Sequence, residues 1–592
     1  MISVAHSTAN ALLRTYRKRI RNASMTAPVW TRHYDPGVPT TLAPYPERTL
    51  LDYVEEGARE RPSHAAIWFK GRTISMRELV WASDAFAVAL AAQGVKRGDR
   101  VGIVLPNCPQ FLIAELAAWK LGAIAAPINP IYSEEELVGP LNTIGAEVIV
   151  ALTPFYERLK SVQGRTPVQR VIAVNIKDYF PPMLRALFTL LLEKKSGSRI
   201  ATRDGDPLMA AMIAANAGRA PDPALRARPT DIAVLMLSGG TTGTPKAVPG
   251  RHIDLVMTGL QVRAWVASVI SDWSDQILCP LPLFHAAGGG AVQTLAITGH
   301  NTLILVPNPR DIADLLKTLQ KTKPKAFAGV PTLYNAMLQH PLAKRGKIDF
   351  SSLKACVCGA APLMLDTKRR FEALTGKNVI EGYAMTESMV GLTATPMTGL
   401  SKDGSVGVPM PDVEVRVVDV DDPTTEVAAG VPGEILLRAP QMMKGYWNNP
   451  DESAQMLCTD RSGKTWLRTG DLGHQDSDGY VFIVDRKKDL IKANGMQVWP
   501  REIEEAIARH PAVAEVGVRG FVDAAHGEIS VAFVVLRDGA QATADEIREF
   551  CKVNLAFYKV PSKVVFRSDL PKSLIGKVVR RFLTLDHPDA TA

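Results

Sequence analysis

Cysteine is scarce in this chain of 592 residues, with six thiols at 108, 279, 356, 358, 458 and 551. Only Cys356 and Cys358 lie close together, and alternate residues on a strand face opposite ways, so neither a C-x-x-C redox pair nor a zinc knuckle is present. Sparse thiols suit a reducing compartment. The expectation is a cytoplasmic protein, peripheral at most to the inner face of the membrane. No run reaches the ~18 continuous apolar residues of a bilayer-spanning helix. Acidic residues are missing from Met1 to Tyr34, where Arg14, Arg17, Lys18, Arg19 and Arg21 cluster. Without an apolar core this stretch is not a secretory signal. It reads as a basic, disordered extension over 1–34, either transit-like or lying ahead of a start at Met25. No Lys/Arg-rich tract alternates with aromatics, so nucleic acid is not an expected partner despite a net charge of +9. Internal repeats and low-complexity tracts are also lacking.

What remains is ordinary globular text, 46% hydrophobic and 22% charged. From Leu50 onward helical and strand-like segments alternate. Leu79–Gln93 and Cys108–Leu121 have helical spacing, while Arg100–Leu105, Ala123–Ile128, Val148–Leu152, Gln276–Cys279, Thr302–Val306, Ala326–Val330 and Leu353–Cys358 are short apolar strands. After Ser405 the text turns β-rich, and from Asp485 it runs strand, helix, strand, strand, helix, strand. The predicted fold is α/β: a large N-terminal domain of stacked mixed sheets with helices over 35–485, carrying a β-rich subdomain, and a small α+β domain over 486–592.

The densest chemistry lies at Leu237–Lys246, Leu-Ser-Gly-Gly-Thr-Thr-Gly-Thr-Pro-Lys, directly after an apolar strand-like run. Gly239, Gly240 and Gly243 let backbone N–H groups approach an anion, Ser238, Thr241 and Thr242 add donors, and Lys246 adds a mobile positive charge. The loop is built to hold a polyphosphate. It is not a P-loop, because Pro245 precedes the lysine and Ala247 follows it where that motif needs glycine and a hydroxyl.

Four further groups accompany it: Gly359-Ala-Ala-Pro362, Glu381-Gly-Tyr-Ala-Met-Thr-Glu387, Thr469-Gly-Asp471 and Pro571-Lys-Ser-Leu-Ile-Gly-Lys577. Asp485-Arg-Lys-Lys-Asp489 opens the last block. In this order, from about Leu50 to Arg581, they resemble the adenylate-forming superfamily of acyl-CoA synthetases, luciferases and peptide-synthetase adenylation domains. Pro282-Leu-Phe-His285, Gly445-Tyr-Trp447 and Tyr558-Lys-Val-Pro561 make the text most similar to bacterial long-chain fatty acyl-CoA synthetases.

The resemblance implies ATP, Mg²⁺ and coenzyme A, an acyl-adenylate intermediate, and an AMP-binding domain followed by a rotating lid. It implies β,γ-phosphate contacts from Ser238, Thr241, Thr242 and Lys246. Glu387 would be the Mg²⁺ carboxylate and Thr386 the α-phosphate hydroxyl. Glu381 and Gly382 lead into Tyr383, which would stack on adenine against a wall of Gly359, Ala360 and Ala361. Asp471 and Arg486 would hold the ribose, and Lys577 would bridge the carboxylate and the α-phosphate. Lys488 takes the hinge position, Lys492, Gly495 and Gln497 the face used for thioester formation, and His285, Gly288, Gly289 and Gly329 the acyl pocket. Tight helix packing is the competing reading of Gly288–Gly290. Related enzymes also make a homodimer an expectation.

Three positions depart from the usual pattern, Ala247, Ala384 and Trp499, and none removes a reactive group. Acyl transfer to a carrier protein, or a medium-chain, aryl or steroid side-chain acid, remains an alternative. An idle acyl-binding scaffold should have lost Lys577, Glu387 or Asp471, and all three are present. Apolar residues at 183, 184, 187, 190 and 191, bordered by Lys177, Arg185, Lys194 and Lys195, form a helical face. It reads either as an element lying in a membrane interface or as a helix packed on its own domain.

Overall fold

The computed structural model describes residues 28–238, 245–391, 393–493, 496–523, 527–572 and 578–585. Two sheets form the body. The larger has nine strands in the order Val408–Pro409, Thr393–Ala394, Val379–Tyr383, Ala355–Cys358, Ala326–Gly329, Gln276–Cys279, Thr302–Leu305, Ala65–Phe69 and Arg72–Ser75. From Val379–Tyr383 to Ala65–Phe69 the neighbours run parallel. The smaller has six strands, Arg170–Val174, Val148–Leu152, Arg100–Val104, Ile124–Pro127, Ile232–Ser238 and Lys246–Arg251, parallel except for the last pair. Strands buried on both faces need no polar alternation, which is why they read as plain apolar runs.

The helix Pro109–Lys120 sits between the sheets, and every one of its residues is buried. Proline at its first position costs no hydrogen bond there. Asn107, just before it, donates to the Cys279 and Leu281 carbonyls at 3.0 and 2.9 Å and accepts from Leu283 N–H at 2.8 Å. At the other end the Trp119 indole donates to the Ala233 carbonyl at 2.8 Å. One helix thus fixes the ends of strands in both sheets.

A five-stranded antiparallel sheet follows, with Thr465–Gln475 paired to Gly433–Arg438, Leu457–Thr459 and Val481–Arg486. The last sheet has Gly527–Leu536 at its centre, beside Val513–Asp523, Ile491–Ala493 and Lys563–Phe566, with helices Pro500–Ala508 and Ala544–Asn554 packed on it.

Two expectations need amending. Residues within 28–34 are ordered rather than part of a loose extension: Val29–His33 forms a helical turn, and the Tyr34 hydroxyl donates to the Pro409 carbonyl at 2.7 Å. The helical face at 183–191 forms, but only one side of it packs. Phe188 meets Phe180 edge-on, and Phe180 stacks on Phe69. Met183, Leu190 and Leu191 stand 78%, 80% and 69% exposed. Lys177 turns inward to pair with the buried Glu193. Among the described residues no helix is long and apolar enough to cross a membrane.

Candidate active site

The carboxyl ends of parallel strands in both sheets carry the candidate residues, the location where open α/β sheets bind ligands. Ser238 ends its strand and pairs in register with Lys246 across the hairpin. Gly239, Gly240, Thr241, Thr242 and Gly243, between them, lie outside the described residues. Lys246 points to the Glu452 carboxylate and sits 5.2 Å from the centre of the Tyr446 ring. The Tyr446 hydroxyl donates to the buried Glu387 carboxylate at 2.8 Å. Burial and that carboxylate hold the phenol well above its usual range.

Nothing local in the sequence marks Tyr446 or Glu452 as a site residue. Gly445-Tyr-Trp447 was visible as a motif without a role, and nothing near Glu452 pointed to it. Glu387 offers one buried carboxylate, and among the described residues no group of three His, Cys, Asp or Glu forms a cage. That donor set fits Mg²⁺, which commonly takes one or two carboxylates and completes its shell with phosphate oxygens and water.

The second cluster centres on Asp471. Its carboxylate accepts from the Tyr383 hydroxyl at 2.6 Å and pairs with the Arg486 guanidinium at 2.9 Å. Asp471 and Arg486 face each other across adjacent strands, so the sheet register sets this pair. Gly470, in left-handed backbone with φ 66°, lets Asp471 N–H reach the Thr469 hydroxyl at 3.0 Å. Tyr383 is half-buried, and burial followed by Asp471 pushes its hydroxyl up. Asp471 in turn raises Arg486. Glu381 pairs with Lys368 at 3.0 Å, both buried, which ties the strand Val379–Tyr383 to the helix Leu365–Thr375. Burial raises the Glu381 carboxyl against the pull of Lys368.

Gly359 leaves its strand so close to Val379–Tyr383 that a Cβ there would lie 3.2 Å from the Gly382 carbonyl. Ala360 takes left-handed backbone with φ 65°, a conformation that costs an alanine of order 1–3 kcal/mol. Gly359, Ala360 and Ala361 therefore leave their strand beside Gly382 and Tyr383. Past Thr386 and Glu387 the chain is strained again, with Met389 and Val390 both at positive φ. Thr258 holds that turn by donating to the Met389 carbonyl at 2.6 Å.

His285 opens a wide helical turn, Ala286–Val292, and its Nδ1 accepts from Ala287 N–H at 3.3 Å. Burial pushes the imidazole down to about 4, so it is neutral near pH 7. The glycines after it leave less volume than a pocket wall would. A Cβ at Gly288 would stand 2.1 Å from the Pro282 carbonyl oxygen, and one at Gly289 2.4 Å from that of Leu283. They permit backbone to press on backbone, the helix-packing reading. Gly329 is likewise closed in by Phe327 and Tyr334.

Lys488 lies on the turn Lys487–Asp489, where burial first and Arg486 second lower it to about 8. Lys492 is exposed and pairs in register with Gln497. Gly495 and Lys577 lie outside the described residues.

A family model described as AMP-binding enzyme matches residues 54–447, and one described as AMP-binding enzyme C-terminal domain matches 502–577. The chain belongs to the AMP-binding enzyme family. Within that family it is 35% identical over 560 residues to a long-chain-fatty-acid–CoA ligase of Bacillus subtilis, covering 94% of this chain and 97% of the relative. It is 33% identical to 4-coumarate–CoA ligase 2 of Oryza sativa subsp. japonica, covering 87% of each. Among solved structures, ATP-bound MatB from Rhodopseudomonas palustris superposes with a TM-score of 0.76 at 28% identity, covering 90% of this chain and 97% of that one. This AMP-binding enzyme is an acid–thiol ligase of the adenylate-forming superfamily, as its motifs suggested.

Proposed function

We propose that this enzyme joins a long-chain fatty acid to coenzyme A through an acyl-adenylate. The observation that carries the reading is that two polar clusters flank one loop, 383–387. Tyr383 at its start meets Asp471, which pairs with Arg486, and Glu387 at its end meets Tyr446, beside Lys246. A nucleotide laid along this loop has its ribose at one end and its phosphates at the other. The two relatives at 33–35% identity over most of their length are both named CoA ligases, one of them for long-chain fatty acids.

In the first step the fatty carboxylate attacks the α-phosphorus of ATP, the new P–O bond forms, and the bond to pyrophosphate breaks. Two anions must meet while negative charge builds on the leaving group, so aimed donors and cations carry the catalysis. Ser238, Thr241, Thr242 and Lys246, with the backbone of Gly239, Gly240 and Gly243, take the β- and γ-phosphates. Glu452 pairs with Lys246 and aims it. Glu387 would hold Mg²⁺, which supplies positive charge beside the phosphates. Thr386 donates to the α-phosphate and Lys577 spans it and the carboxylate. Tyr383 and Gly359–Ala361 enclose adenine, and Asp471 with Arg486 holds the ribose.

In the second step the coenzyme A thiol attacks the acyl carbon and the C–O bond to AMP breaks. Lys488 is the pivot about which the C-terminal domain turns to bring up Lys492, Gly495 and Gln497. His285, neutral near pH 7, stands at the mouth of the acyl site, and each methylene buried beyond it adds about 0.8 kcal/mol. The exposed face of Met183, Leu187, Leu190 and Leu191, edged by Arg185, Lys194 and Lys195, suits contact with a lipid surface from which such an acid is drawn.

ATP–pyrophosphate exchange across acids of graded length, followed by coenzyme A, tests the reading. Exchange should rise with chain length and thioester should follow. Lys577→Ala should abolish exchange yet keep thioester formation from supplied acyl-adenylate. No exchange with any carboxylate overturns the proposal, and exchange without thioester points to a carrier-protein acceptor.

A further inference from the structure

Arg580 belongs to neither cluster of the active site, yet it is among the most heavily engaged cations in the described chain. It follows Lys577 by three residues and lies on the turn Arg580–Phe582. Its guanidinium forms a fork on Glu504, at 3.1 and 2.8 Å, within the C-terminal domain. One nitrogen of the same group also reaches Asp485 at 2.7 Å and Asp489 at 3.0 Å. These two carboxylates stand on either side of Lys488. Asp485 is the last residue but one of the strand Val481–Arg486 in the antiparallel sheet of the body, and Asp489 closes the turn that leads into the C-terminal sheet.

Asp485 is itself a junction. Its side chain is almost fully buried, at 2% exposed. One oxygen accepts from Arg486 N–H at 2.8 Å as well as from Arg580, and the other accepts from Arg501 N–H at 2.8 Å. The Arg501 guanidinium crosses the same boundary to the Ile483 carbonyl at 2.6 Å. One residue after Asp485, Arg486 pairs with Asp471 in the nucleoside cluster.

We propose that Arg580 is a positioning residue, a clasp between the C-terminal domain and Asp485. It holds the C-terminal domain in the orientation that sets the turn Arg580–Phe582 against Asp485, next in the chain to the Arg486–Asp471 pair. The inference rests on the two-step reading above, in which Lys577 serves adenylation and Lys488 is the pivot. The Glu504 fork stays inside the C-terminal domain and survives any rotation of it. The Asp485 contact spans the pivot and must break for the domain to turn. A buried charge-assisted bond is strong while made, so its loss shifts the balance between orientations. Arg580 touches no reacting atom in this account.

Two measurements on the full-length enzyme test the clasp, with Arg580→Ala, Arg580→Lys and Asp485→Asn. The first is the rate at which trypsin cuts the Arg486-Lys487-Lys488 run in the folded protein, which needs no activity. Loosening the clasp should speed this cut by roughly fivefold through easier local opening, with Arg580→Lys in between. The second is the pair of half-reactions on one preparation. ATP–pyrophosphate exchange should fall by about tenfold, while thioester formation from supplied acyl-adenylate is unchanged or faster.

Unchanged cleavage in both Arg580→Ala and Asp485→Asn overturns the clasp. Faster cleavage with equal loss of both half-reactions also overturns it, because Arg580 would then only support the fold. If the wild-type enzyme shows neither half-reaction, the functional reading falls, and the cleavage rates still judge the clasp. Should Arg580→Ala not fold, Asp485→Asn and Arg580→Lys decide the matter.

Discussion

At the scale of single residues, Asp471 is where the nucleoside cluster converges, and Tyr383 is the partner easiest to remove cleanly. Tyr383→Phe keeps the ring and deletes the 2.6 Å bond to the carboxylate. A hydrogen bond to a charged group is worth about 1.5–3 kcal/mol. If the ring still stacks, KM for ATP should rise by roughly an order of magnitude with kcat little changed, read from steady-state kinetics. A fall in kcat alone would mean that the hydroxyl serves the reaction rather than the nucleoside site.

His252 gives a second residue-scale prediction, concerning stability. It is fully buried against Trp119, and neither ring nitrogen has a hydrogen-bond partner. Burial lowers it from 6.5 to about 4. Its folded value is depressed, so its contribution is complete above pH 6.5 and is lost as pH falls toward 4, because only the unfolded chain takes the proton there. The slope is about 1.4 kcal/mol per pH unit within that window. His252→Phe should flatten this part of the stability profile in denaturant titrations. An unchanged slope would assign acid sensitivity to other groups.

At the scale of elements, the segment Pro182–Leu192 is tethered through Phe188 and leaves its other apolar face uncovered. Exposed apolar area with basic neighbours should bind anionic bilayers. Leu187→Glu with Leu191→Glu should abolish flotation with anionic liposomes while leaving soluble-substrate turnover intact. Flotation unaffected by the pair would show that the face serves some other contact. The helical spacing was legible in the sequence, but its exposure was not, because periodicity cannot say whether a neighbour covers the face.

The same limit governs the rest of the site. Short apolar runs such as Ala355–Cys358 announce strands, and Thr469-Gly-Asp471 announces a turn, because these signals are local. Tyr446 meeting Glu387, and Lys246 meeting Glu452, join residues far apart in the chain, and nothing local marks such pairs. For Gly288 and Gly289, local text showed that side chains were missing but not that backbone fills the space.

For the whole molecule, the two body sheets are locked by the helix Pro109–Lys120, whereas among the described residues the polar contacts of the C-terminal domain with the body include those at Asp485 and those of Lys487 with Glu434 and the Val420 carbonyl. On the proposed two-step reading, a rotation about Lys488 would carry the last hundred or so residues and leave Tyr383, Asp471, Glu387 and Tyr446 in place. Lys488→Pro restricts φ at the pivot. It should spare pyrophosphate exchange and depress thioester formation by an order of magnitude or more, measured on the same sample. Equal effects on both steps would move the pivot elsewhere.

The strand order of the larger sheet carries a cost during synthesis. The apolar strand Ala65–Phe69 forms a hairpin with Arg72–Ser75 early in the chain, yet the parallel neighbour of Ala65–Phe69 is Thr302–Leu305. At roughly 5–20 residues per second, that hairpin waits on the order of ten seconds or more with an unpaired edge. A nascent chain on the ribosome thus presents Ile67, Trp68 and Phe69 to whatever else is nearby, and a chaperone that shields them until Leu303 emerges would raise the yield of active enzyme.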